Sequence, residues 1–224
     1  MNKQIGVITI GQSPRTDIMS EMTTHFAEDV TFIEKGVLDH KSSSEIARLA
    51  PGTNDTLLVS RLTDGTEVHM GKEKIIPIIQ QLIDALNEEA VDLIIIACTG
   101  SFPTFKSDKQ IIYPDYLLNH LVKGIFIDGT LGVIVPNDNQ QEMIAQKWGK
   151  EDFTTITHTV SPYTYSETAL IESVKHLNDT DVKAIVLDCF GYNQSMKHVA
   201  QTYTKKPIIL SRQLIYQTIA GIIN

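Results

Sequence analysis

Short apolar runs alternate with longer amphipathic segments along this chain. Residues 5–10 are continuously apolar and stop at Gly11, the pattern of a strand buried on both faces. Ser13 before Pro14 reads as a helix N-cap with proline at the first helical position, which predicts a helix to about Phe26. A strand over 30–34 and a short helix over 44–50 come next. Residues 57–62 and 66–70 then flank Asp64-Gly65, a two-residue hairpin signal. That hairpin breaks the alternation, so it is expected at a sheet edge or over a cleft. The segment 72–90 predicts the clearest helix, with Ile75, Ile79, Leu82, Ile83, Leu86 and Ala90 on one face. A strand over 92–97 ends at Cys98-Thr99-Gly100, and a strand over 110–113 and a helix near 116–122 lead into the second half.

There the order repeats, with predicted strands at 131–135, 153–160, 184–187 and 207–210. Helices are predicted at 140–148, 166–177 and 194–203, with a last one reaching Ile223. Ile5-Gly6-Val7-Ile8-Thr9 echoes Leu131-Gly132-Val133-Ile134-Val135. Residues 92–100 echo 182–191, each an apolar strand that meets a cysteine and then a glycine. Alternating strands and helices predict an α/β fold of mainly parallel sheets flanked by helices. The echo predicts two similar lobes, 1–115 with 207–224 and 116–206, and a ligand cleft between them.

The net charge of −8 over 224 residues argues against a nucleic-acid or acidic-membrane surface, which needs a basic field. No run approaches the ~18 apolar residues of a membrane span, and the polar start lacks a signal-peptide apolar region. Two cysteines in such a chain read as reduced thiols in a cytoplasm. A homodimer is the expected assembly, since two-fold dimers are the commonest soluble oligomers.

In open α/β sheets ligands bind beyond the carboxyl ends of the strands. Four segments fall there: 11–15, 98–101, 136–139 and 189–193. The candidate ligand contacts are Gly11, Gln12, Ser13, Arg15, Thr99, Gly100, Ser101, Pro136, Asn137, Gly191 and Tyr192, with Arg61 from the hairpin. Small and polar residues after apolar strands suit backbone N–H groups gathered around an anion. A thiol at a strand end near a helix N-terminus can have its pKa lowered. Cys98 and Cys189, facing each other, would be base and acid on one carbon, which is racemisation without metal or cofactor. A single active thiol would instead reprotonate a carbanion after decarboxylation or attack covalently. The plainer alternative is that both are small buried hydrophobes. Arg15 is placed to hold a carboxylate bidentately, or is a surface arginine; Ser13 caps a helix or touches ligand, and Arg61 is a second anion contact or a solvated edge residue. There is no dinucleotide or Walker motif, and the seven histidines show no metal spacing with the cysteines, so no cofactor and no metal are expected.

Four stretches together resemble the AroM family: Ile8-Thr9-Ile10-Gly11-Gln12-Ser13-Pro14-Arg15, Leu58-Val59-Ser60-Arg61-Leu62-Thr63-Asp64-Gly65, Val133-Ile134-Val135-Pro136 with Gln146-Lys147-Trp148, and Leu187-Asp188-Cys189-Phe190-Gly191-Tyr192. The resemblance implies kinship with the aspartate/glutamate racemase superfamily, with two pseudo-symmetric α/β lobes and one cysteine from each. Racemases of that superfamily usually follow the first cysteine with Asn-Thr or Asn-Ser, where Thr99-Gly100 stands here. They follow the second with Thr and then His or Glu, where Phe190-Gly191 stands. Gly11-Gln12-Ser13 replaces the Asp-Ser-Gly of glutamate racemases. The thiol positions carry over and the amino-acid contacts do not, which argues against plain aspartate or glutamate racemisation. The family name implies only an association with aromatic biosynthesis.

These residues leave three readings open. The first is a racemase- or isomerase-type enzyme acting beside a carboxylate, with a one-thiol decarboxylase or isomerase as its variant. The second is a non-catalytic protein binding a small carboxylate in the same cleft. The third is an interaction partner with an empty cleft.

Overall fold

A computed structural model describes residues 3–223 and divides the chain into two units, 1–114 with 220–224, and 115–219. In the first unit the elements run β1 (Lys3–Thr9), α1 (Thr16–Met22), β2 (Val30–Gly36), α2 (Ser43–Arg48), β3 (Leu57–Arg61), β4 (Glu67–Gly71), α3 (Lys72–Glu88), β5 (Leu93–Ile96) and β6 (Gln110–Ile112). The sheet order is β2-β1-β5-β6 with every pairing parallel. The central strands are apolar on both faces because helices and loops cover both; Ile8, Ile94 and Ile96 are wholly buried. Helix α3 buries Ile75, Ile79, Ile83 and Leu86 in that core. Gly6 lets it approach, since a Cβ there would stand 2.7 Å from Leu86 Cδ1. The helix stops at Glu88, short of Ala90, which takes a left-handed φ of 56° and is exposed.

The second unit holds α4 (Pro114–Phe126) from its second residue, β7 (Gly129–Val135), α5 (Gln141–Gly149), β8 (Phe153–Thr159), α6 (Glu167–Asn178), β9 (Ala184–Leu187), α7 (Gln194–Thr202), β10 (Ile208–Leu210) and α8 (Ser211–Ile223) as far as Ile219. Its sheet order is β10-β9-β7-β8, again all parallel. Taken from the β8 edge this is the first sheet's order, with β7, β8, β9 and β10 in the places of β1, β2, β5 and β6. Gly132 and Leu177 repeat the contact of Gly6 and Leu86, at 3.0 Å. The repeat expected from the apolar echoes is therefore a repeat of pairing and packing.

Three local expectations are corrected. The segment from 207 is expected in the first lobe, but β10 bonds β9 through Ile209 and its neighbours, so 207–219 falls in the second unit. Ser13 does not cap a helix. Its N–H and Oγ are both held by Asp39, at 2.7 and 2.6 Å, and α1 starts at Thr16 with Arg15 in the N-cap place and ends at Met22. The hairpin loop has three residues, not two: Leu62 pairs with Thr66, and Gly65 alone takes a positive φ of 96°. Asp64 keeps an ordinary conformation and accepts the Thr66 N–H at 2.8 Å, so a type I turn with a glycine bulge forms in place of the type I′ turn. The pair β3-β4 is also a separate two-stranded sheet rather than an edge of the larger one.

Candidate functional site

Each cysteine stands two residues beyond the end of its strand, where the chain has just left the sheet. The Ala97 N–H donates to the Ile8 carbonyl at 2.8 Å, and the Asp188 N–H donates to the Ile134 carbonyl at 3.0 Å. These are the same bond in the two sheets. One residue on, Cys98 Sγ accepts the Gly100 N–H at 3.3 Å, and Cys189 Sγ accepts the Gly191 N–H at 3.4 Å. Neither thiol is in a disulfide, and they are 9% and 8% exposed. A donor aimed at sulfur favours the thiolate over the thiol.

Past the two thiols the chain takes different courses. After Cys189 it enters α7, whose N-cap Asn193 accepts the Met196 N–H through its side chain. After Cys98 no helix forms: residues 97–109 are irregular up to β6. Cys98 therefore lacks the helix N-terminus expected beside it. Leu58 of the hairpin stands against Gly100, where a Cβ would meet its Cδ2 at 2.8 Å. Phe102, Phe105 and Tyr113 form a run of ring contacts along that loop, with the Tyr113 hydroxyl accepting the Phe105 N–H.

In the first unit the 11–15 turn is tied to the hairpin. The Gln12 N–H donates to the Arg61 carbonyl, and its side-chain oxygen accepts from the N–H and hydroxyl of Thr63. Gly11 is buried against Ser60 and Arg61, leaving no room for a Cβ. Arg15, expected as a carboxylate contact, is buried and already makes a two-pronged pair with Asp17, at 2.9 and 2.8 Å. Its Nη1 donates to Thr9 and Ser60, both at 3.1 Å. Burial works to raise the Asp17 pKa, but the bond and charge of Arg15, with the charge of Arg61, hold it below the ordinary carboxylate value. Arg61 donates its Nε–H to the Leu62 carbonyl. Thr99 is buried and Ser101 exposed. In the second unit Pro136 is buried, and Asn137 caps the 3-10 turn Asp138–Gln140 by accepting the Asn139 N–H.

Four residues around Cys189 are not among the candidate contacts read from the sequence. Asp188 is fully buried as a side chain, bonded by Lys147 Nζ at 3.0 and 2.9 Å and by the indole N–H of Trp148 at 3.1 Å. Ser211 Oγ donates to the Cys189 carbonyl, and Arg212 Nη1 donates to that of Phe190. Tyr163 places its hydroxyl 3.8 Å from Cys189 Sγ. Tyr192, expected as a ligand contact, is fully buried and donates its hydroxyl to the Val160 carbonyl at 2.7 Å. Burial pushes its phenol pKa well above the ordinary value, and its electrostatic coupling to Cys189, Asp188 and Tyr163 acts the same way. Among the described residues no group of three or more His, Cys, Asp or Glu could hold a metal ion, and no helix is long and apolar enough to cross a membrane.

The family model described as AroM protein matches residues 5–223. No curated protein matches the chain. Among solved structures, the glutamate racemase of Francisella tularensis in complex with D-glutamate superposes with a TM-score of 0.62 at 17% identity, over 99% of this chain and 81% of that one. The allantoin racemase of Klebsiella pneumoniae gives 0.61 at 15% identity, over 99% and 87%. A liganded double mutant of arylmalonate decarboxylase gives 0.65 at 11% identity, over 98% and 93%. At these identities the likeness is one of fold.

Proposed function

This chain belongs to the AroM family, and from that premise we propose that it is a cofactor-independent enzyme of racemase or isomerase type, acting on a small carboxylate through Cys98 and Cys189. The observation that carries the reading is the matched placement of the thiols, each at an equivalent strand end with an N–H donor on its sulfur. Racemases of glutamate and allantoin sharing the fold support it.

In this reading one sulfur, as thiolate, takes the proton from the carbon beside the carboxylate, so that a C–H bond breaks and an S–H bond forms. The electron pair spreads into the carboxylate, and the other thiol returns a proton to the carbon from the opposite side. Arg15 is already engaged by Asp17, so its part is to fix the 11–15 turn. The carboxylate is assigned instead to Thr99, Asn137 and nearby main-chain N–H groups. A second reading, a binding protein without turnover, is favoured by Phe190 and Gly191 standing after Cys189 where racemases carry polar side chains.

The test is hydrogen exchange in deuterated water, with aromatic and aliphatic α-substituted acids followed by NMR. The expected result is exchange at the carbon next to the carboxylate that falls by ~100-fold or more in either Cys98→Ser or Cys189→Ser. Thermal stabilisation by an acid that never exchanges would overturn the enzymatic reading in favour of binding.

A further inference from the structure

The segment between β8 and α6 carries no residue singled out by sequence, yet its Tyr163 hydroxyl stands 3.8 Å from Cys189 Sγ. We propose that Tyr163 is a positioning residue for Cys189, its phenol O–H donating to the sulfur and favouring the thiolate. The proposal rests on the proposed function for its catalytic consequence alone, because the thiol's own titration is what it concerns.

Three structural features converge on it. The hydroxyl is 3.8 Å from Sγ, within reach of a sulfur hydrogen bond. The ring lies over Gly191: a Cβ at that position would stand 2.7 Å from Tyr163 Cζ, 2.8 Å from its Cε1 and 2.6 Å from Pro162 Cγ. Glycine at 191 therefore makes the close approach possible while supplying the other donor to the same sulfur. The segment bearing Tyr163 is also anchored. Ser161 Oγ accepts the N–H groups of Tyr163 and Thr164, and the fully buried Tyr192 hydroxyl holds the Val160 carbonyl. Tyr192 is kept protonated by its burial, so it stays a donor to Val160 across the pH range in which a thiol titrates.

A donor to the charged form lowers a group's pKa. Ionisable groups near Cys189 also include Asp188, paired with Lys147 of α5, Tyr192, committed to Val160, and Arg212, whose Nη1 donates to the Phe190 carbonyl. The bonds described for these groups go to partners other than Sγ.

The experiment uses the full chain carrying Cys98→Ser, so that one thiol remains. The rate of iodoacetamide alkylation of Cys189 is followed against pH by mass spectrometry, with Tyr163, with Tyr163→Phe and with Gly191→Ala. The expected result for Tyr163→Phe is a midpoint raised by about one pH unit, the size of one hydrogen bond to a charged group. Gly191→Ala, which displaces the ring but keeps the hydroxyl in the chain, is expected to move the midpoint the same way. A Tyr163→Phe protein with unchanged thermal melting and the parent's midpoint would overturn the proposal, whatever Gly191→Ala does. The readout is the thiol and not turnover, so failure here is distinct from failure of the isomerase reading.

Discussion

The two strand ends that carry the cysteines begin alike and finish differently. Both leave a parallel sheet of the same order and set sulfur over the N–H two residues on. Beyond that point the second unit braces the stretch from 188 to 192 at nearly every residue. Asp188 is held by Lys147 and Trp148, the Cys189 carbonyl by Ser211, the Phe190 carbonyl by Arg212 and the Tyr192 hydroxyl by Val160. The first unit has Ala97 where the second has Asp188, and an irregular loop where the second has α7. Duplicated architecture thus supplies two similar thiol positions in unequal surroundings. In the proposed reaction Cys189 is the thiolate base, and Cys98 the thiol that returns the proton.

The largest expected effect comes from breaking the Lys147–Asp188 brace of the second unit. Lys147→Met leaves the Asp188 carboxylate buried without its cation, and a loss of about 3–5 kcal/mol is expected in denaturant unfolding. A loss below ~1 kcal/mol would mean the strand end is not held as described. Smaller effects probe what the units share. Gly6→Ala and Gly132→Ala press a new methyl against Leu86 and Leu177, with closest approaches of 2.7 and 3.0 Å. Each is expected to cost about 1–3 kcal/mol in the same unfolding measurement, Gly6→Ala the more, because both leucines are wholly buried. If one substitution is neutral and the other severe, the packing repeat does not extend to its energetics.

The order of elements is legible in the sequence because apolar runs buried on both faces look unlike amphipathic helices, and because 5–9 and 131–135 repeat one short pattern. The cysteine positions follow from strand ends alone. The partners of Cys189 are not legible: Tyr163 lies 26 residues from it in sequence, and Lys147 lies 41 from Asp188. Gly191 is the one local sign, a glycine after a thiol that marks close approach by something else. Arg15, read as a carboxylate contact or a surface arginine, is buried for a nearer reason. Asp17, only two residues on, accepts from both prongs of its fork. Ser13 has a helix-capping context, but the tertiary pull of Asp39 on its N–H and hydroxyl prevails over it.

The most direct test of unequal thiols is competitive alkylation of the unmodified chain at neutral pH, with the rate at each cysteine read from its own peptide. The two cysteines are almost equally exposed, at 9% and 8%, so the ratio reports thiolate character rather than access. Cys189 is expected to react about tenfold faster than Cys98, the ratio that one unit of pKa difference produces. Equal rates, or a faster Cys98, would contradict the inequality of the two thiols.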